Sequence, residues 1–169
     1  IGPSAQLSGA NLLAADLRNT NLTDADLTDA VLTAVISGEI IGTPTALPTS
    51  WLLSNGYLIG PGANLSGTTL SGIDLTNVNI ATANLSNALL SNTIFSGADL
   101  TDTNISGAVL VGSDLDEANL SGSNLANVQS GGILGTPSQL PIGWTLINGY
   151  LIGPATNLSC HDRKGRALL

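Results

Sequence analysis

The sequence predicts an all-β solenoid interrupted by two hairpins, and three observations carry that expectation. Leucine recurs every fifth residue at Leu7, Leu12, Leu17, Leu22, Leu27 and Leu32. The same phase returns at Leu65 and runs to Leu125, with Ile80, Phe95 and Ile105 substituting within it. Two residues before each of these sits a small or β-branched residue such as Ala25 or Thr68, and Asn or Asp mostly lies between. The third observation is a duplicated segment, rich in Gly and Pro, that breaks the phase twice.

A five-residue step suits neither standard period. On an α-helix it advances about 500°, which scatters the leucines around the cylinder. On a flat strand an odd step sends alternate leucines to opposite faces. A backbone that bends once per five residues keeps them all on one side. Ser, Thr, Asn, Asp and Gly after each leucine supply that bend. One unit cannot bury its own leucine, so units coil and each layer covers the next. Burial of each such side chain contributes roughly 1.5–3 kcal/mol before entropy is subtracted. Leu100 is therefore expected inside, intolerant of Asp, and Asp99 outside, where Ala costs little.

Composition limits the function. The 169 residues carry 12 acidic and 4 basic side chains, a formal charge of −8. An acidic chain does not hold nucleic acid by counterion release, so direct nucleic-acid binding is not expected. Only 9% of positions are charged and 43% are hydrophobic, which argues against charge-driven disorder. No apolar run approaches the roughly 18 residues of a membrane span. A single cysteine rules out an intrachain disulfide framework.

Ala-Asn-Leu-Ser-Asn at 83–87 and Ala-Asp-Leu-Thr-Asp at 98–102 match the A(D/N)LXX consensus, and by these motifs the chain resembles the pentapeptide-repeat family. In-phase units cover 5–34, 63–127 and 156–160, which is 100 of 169 residues. The resemblance implies a right-handed quadrilateral β-helix, four units to a coil, with the leucine and the small residue inward. The whole chain, 1–169, is then one solenoid domain.

Four units per coil place residues twenty apart in one column. Asn64, Asn84, Asn104 and Asn124 form an asparagine ladder, which can hydrogen-bond along the axis. The next columns read Thr69, Leu89, Val109; Asp74, Ile94, Asp114; and Asn79, Asp99, Asn119. Leu89, Ile94 and Val109 are expected to form a small exposed apolar patch. The asparagine column also suits a flat surface for a sugar or ice.

The interruptions span 35–62 and 128–155, and 38–67 aligns with 131–160 at 19 of 30 identical positions. Asn55-Gly56 and Asn148-Gly149 predict two-residue hairpin turns. Trp51, Tyr57, Trp144 and Tyr150, four of the five aromatics, lie in these inserts. They are expected to anchor each insert as a flap on the solenoid wall, with an aromatic recognition surface as the alternative. Whether an insert supplies part of a coil is open at this point.

Catalytic constellations are missing from the motif inventory. Cys160-His161-Asp162 is contiguous, and a triad is made by geometry rather than adjacency. Asp24, Asp29, Asp102, Asp116 and Glu117 read as solvated bend residues, and no catalytic residue, metal site or cofactor is expected. The six Asn-x-Ser/Thr sequons follow from the consensus. The expected function is a non-enzymatic structural or interaction solenoid, with protein partners or itself end to end. The competing class is an acidic DNA mimic, because family members linked to fluoroquinolone resistance bind type II topoisomerases. Scarce lysine and abundant Ser, Thr, Asn and Gly favour an exported bacterial protein over a cytoplasmic one. Ile1–Gly9 repeats the text of Ile59–Gly67, so the chain is expected to be a stretch of a longer array. The distances between equivalent positions are 58 and 93 residues, and they differ by seven whole units.

Overall fold

Each pentapeptide closes on itself before it stacks. The N–H of the small residue donates to the carbonyl of the preceding leucine, as Ala83 does to Ile80 at 3.1 Å. The third residue of that turn has a positive φ, and this sets the composition there. Gly97, Asn87 and Asp102 occupy it with φ of 67°, 57° and 56°. This is a type II turn, whose third position favours Gly or Asn. Thr82 holds the same position at φ 60°, where its branched Cβ is strained. Thr82→Gly is expected to raise stability by about 1 kcal/mol, read as a shift in the urea midpoint.

The computed structural model describes residues 1–155, and among them there is no helix. Parallel one-residue bridges join Asn64 to Asn84, Thr69 to Leu89, Asp74 to Ile94 and Asn79 to Asp99. The separation is twenty residues, four units, in each case. Asn84 N–H donates to Ala63 and its carbonyl accepts from Leu65 on the preceding coil, while its neighbours Ala83 and Leu85 make the same pair of bonds with Asn104 on the next. The Leu, Ile and Phe side chains of the repeat units from Leu17 to Leu125 are buried, whereas Leu7 and Leu12 on the first coil are partly covered. Thr93, Thr103, Ser113 and Ser123 replace alanine inside, and each satisfies its hydroxyl on a leucine carbonyl or a stacked neighbour.

The four strands are β1 (Leu52–Ser54), β2 (Tyr57–Ile59), β3 (Thr145–Ile147) and β4 (Tyr150–Ile152). β1 pairs with β2 and β3 with β4, antiparallel and in the same register, so Leu53 faces Leu58 as Leu146 faces Leu151. Their anchors match as well. Ser37 Oγ accepts from Leu58 N–H at 2.9 Å, and Ser130 Oγ accepts from Leu151 N–H at 3.0 Å. Ile40 N–H donates to Gly56, and Ile133 N–H to Gly149, both at 3.1 Å.

The first hairpin is a core element, which corrects the expectation of a flap on the outer wall. The buried side chains form two clusters, one spanning Leu17–Ile40 and the other Ala63–Ile133. Successive strand residues point to opposite faces. Leu58 accordingly joins the first cluster and Ile59 the second, both fully buried, while Trp51 packs against both. The indole occupies the place a Cβ on Gly60 would take, and Trp144 does the same at Gly153, so a side chain at either glycine would displace the ring.

The interrupted segments also remain partly in the coil. Ile36, Ile41 and Ala46 bridge to Asp16, Asn21 and Asp26, and Gln129, Leu134 and Gln139 bridge to Val109, Asp114 and Asn119. Ile36 then bridges forward to Asn64, a step of 28 residues in place of twenty. The chain leaves the coil only after Ala46 and rejoins it at Asn64.

Candidate interaction surface

The outward middle residues make the surface, and their carboxylates and amides first serve the backbone. Asn84 Oδ1 accepts from Ser86 N–H at 3.1 Å, and Asp99 Oδ1 from Thr101 N–H at 3.0 Å. These are Asx turns, which brace each corner. Asp74 also accepts the Thr76 hydroxyl, and Asp26 that of Thr28, both at 2.6 Å. Those hydroxyls and the turn amides hold both carboxyls below the usual carboxylate range.

Along the asparagine column the ladder closes over its two C-terminal steps. Asn124 Nδ2 donates to Asn104 Oδ1 at 3.2 Å, and Asn104 Nδ2 to Asn84 Oδ1 at 3.4 Å. Asn64 has Ile36 on its other side, and its Nδ2 makes no hydrogen bond among the described residues. The apolar trio divides between faces. Leu89 bridges Val109 in one column, whereas Ile94 stands between Asp74 and Asp114 in the next. Leu89 is 44% exposed, Ile94 37%, and Val109 half-buried. Trp51, Tyr57, Trp144 and Tyr150 are half-buried; the first three pack against the core, and the Tyr150 ring lies beside Gly131. The Cys160-His161-Asp162 run and the basic residues after it lie outside the described residues.

Sequence reading missed the one ion pair among the described residues. Arg18 donates through Nε to Asp16 Oδ1 at 2.9 Å and through a terminal nitrogen to Oδ2 at 2.6 Å. The guanidinium and the Arg18 amide lower the Asp16 carboxyl from 3.8 to about 2. A depressed pKa favours the folded state above the ordinary carboxylate range, and this contribution fades as pH falls through about 2. Arg18→Gln is expected to move the Asp16 midpoint upward in a ¹³C carboxyl titration, with no change in the Asp74 midpoint. A signal was present in the sequence, because Arg18 is the only Lys or Arg before residue 156. Arg18 lines a cleft of about 550 Å³ formed between two solenoid corners and Tyr57.

The repeat and its twenty-residue register decide the family. The Pentapeptide repeats pattern matches 8 copies within residues 4–36, 62–97 and 93–129. The chain belongs to the pentapeptide-repeat family. Among solved structures, this pentapeptide-repeat chain is similar to a pentapeptide repeat protein from the Arabidopsis thaliana thylakoid lumen. Identity is 22% over 72% of this chain and 66% of that one, with a TM-score of 0.42. It is also similar to HetL, a protein of heterocyst differentiation regulation from the cyanobacterium Nostoc. There the identity is 24% over 81% of this chain and 64% of that one, with a TM-score of 0.29. QnrB1, a plasmid-mediated fluoroquinolone resistance protein, shares 14% identity over 77% and 67% of the two chains, with a TM-score of 0.26. The pentapeptide-repeat chain thus spans slightly under two thirds of the length of the first two. Among curated proteins none matches the sequence.

Proposed function

We propose that this chain is a non-enzymatic interaction solenoid, a right-handed quadrilateral rod forming a stretch of a longer repeat array. It engages protein partners, or a second copy end to end, through its polar faces and corners. The observation that carries this reading is the outward ladder, unbroken asparagine from Asn64 to Asn124 beside columns that mix polar and apolar residues, held in register by backbone bonds between coils. Such a surface is rigid and repetitive, which suits contact over length. Among the described residues no group of three His, Cys, Asp or Glu side chains is placed to hold a metal, and no helix is long and apolar enough to cross a membrane. The lysine-poor composition favours an exported setting.

The DNA-mimic reading needs rows of adjacent carboxylates. Asp74 and Asp114 are instead separated by Ile94, and Asp99 stands between Asn79 and Asn119. A supercoiling assay with DNA gyrase, run beside sedimentation velocity over a concentration series, separates the classes. The scaffold reading expects self-association and no gyrase effect at low micromolar protein. Gyrase inhibition by a chain that stays monomeric would overturn it.

A further inference from the structure

The cleft beside Arg18 exists because a hairpin turn interrupts the stacking of one corner. At an ordinary corner the layers touch through backbone bonds, as Asn19 N–H bonds to Gly38 and Asn87 N–H to Ser106. At Ile40 the N–H, which in an ordinary unit bonds the carbonyl three residues back, meets instead the carbonyl of Gly56 in the β1–β2 turn. The turn sits so close that a Cβ on Gly56 would lie 3.1 Å from the Glu39 nitrogen. The corner at Gly38–Glu39 is thereby held away from the corner at Ser66–Thr68, and the space between them is open. Its volume of about 550 Å³ falls within the roughly 300–1,000 Å³ of small-molecule sites.

The second hairpin makes the same break without the same residues. Val109 bridges Gln129 as Asp16 bridges Ile36, so Val109 and Val111 stand where the first copy has Asp16 and Arg18. Gly132 stands in place of Glu39. The shared anchoring bonds form in both copies, so the fold does not require the charged set of the first one.

The chemistry of that set selects a ligand class. The Tyr57 ring lies over Gly38, 3.3 Å from where a Cβ would be, and the Arg18 stem reaches the same point at 4.0 Å. The Arg18 guanidinium is already paired with Asp16, and Glu39 adds a second carboxylate at the cleft, a balance that disfavours an anion. Asp16 is already engaged by Arg18, which leaves a cation only Glu39. Donors and acceptors remain in mixture: the second terminal nitrogen of Arg18, the Glu39 carboxylate and Asn64 Nδ2, with the Ser66 and Thr68 hydroxyl oxygens as acceptors. A ring with an apolar body beside such groups matches a ligand that alternates C–H faces with hydroxyls. We infer that the cleft between the first hairpin and the solenoid corner binds a neutral saccharide, with a pyranose face on Tyr57 and its hydroxyls on Arg18, Glu39 and Asn64.

The test is saturation-transfer NMR on the full chain with glucose, galactose, mannose, N-acetylglucosamine and their common disaccharides. The expected result is transfer to at least one of these sugars. In an Arg18→Gln/Glu39→Gln variant the dissociation constant should rise about tenfold or more, as loss of charged hydrogen-bond partners implies. Both side chains are exposed, and an unchanged thermal melt shows that the variant is folded. Tyr150→Leu in the second hairpin should leave binding unaltered, while Tyr57→Leu abolishes it. The proposal is overturned by millimolar sugars that give no transfer, by affinity that ignores the double variant, or by stronger binding of inorganic phosphate or calcium at the same resonances.

Discussion

Leu100→Asp is expected to abolish cooperative folding. Leu100 is buried to 1% exposure among leucines, and its carbonyl accepts the Ser123 hydroxyl from the next coil. A carboxylate there loses about 2–3 kcal/mol of apolar burial and must also be desolvated without a partner. The sum is of the order of the whole stability of a domain, roughly 5–15 kcal/mol. Asp99→Ala, one residue away, is the control. Its carboxylate accepts both the amide and the hydroxyl of Thr101, at 3.0 and 2.6 Å. Its loss therefore costs about 1 kcal/mol, which is more than the sequence alone suggests. Urea denaturation followed by circular dichroism distinguishes the two. Equal damage from both substitutions would contradict the inward–outward register.

Leu58→Ala is expected to cost about 2–5 kcal/mol, the range for a large side chain removed from a packed core. The more informative result lies in where the loss falls. Leu58 belongs to the cluster of Leu22, Leu27 and Leu32, while Ile59 belongs to that of Leu65, Leu70 and Leu75. Hydrogen exchange in Leu58→Ala should quicken first at the amides of Leu22 and Leu27. In Ile59→Ala it should quicken at those of Leu65 and Leu70. An outer flap would give neither pattern, and each substitution would then cost no more than about 0.5 kcal/mol.

The repeat made much of the fold legible in advance. A five-residue spacing with Leu and Ala in fixed positions allows one inward face, so Leu85 and Ala88 could be placed without coordinates. The asparagine column followed from counting by twenty. The course of the chain through 35–62 was not legible. Ile41 is 57% exposed at a position where the consensus has Asn or Asp, so the unit looks like a departure from the coil although its backbone stays in the ladder. The apolar run Tyr57-Leu58-Ile59 announces a buried strand but not that its two faces serve different cores. The cleft was hidden for a related reason. Arg18 and Glu39 come within reach of Tyr57 only through the seating of the turn on Ile40, a contact no local pattern encodes.

The bridging pattern makes the number of units between hairpins a compass setting. Ile36 lies in the column of Asn64, Asn84, Asn104 and Asn124, whereas its counterpart Gln129 lies in the neighbouring column with Val109. The 13 units of 63–127 amount to three full turns and a quarter, so the second hairpin faces a quarter-turn away from the first. At roughly 4.8 Å per coil the two are about 20 Å apart along the axis. Adding four units would move the second hairpin outward on the same bearing, and adding one would swing it to the next side of the rod. Gain or loss of five codons therefore changes the direction in which a hairpin points while the leucine stack inside stays in phase. Reach and heading become separately adjustable by counting alone.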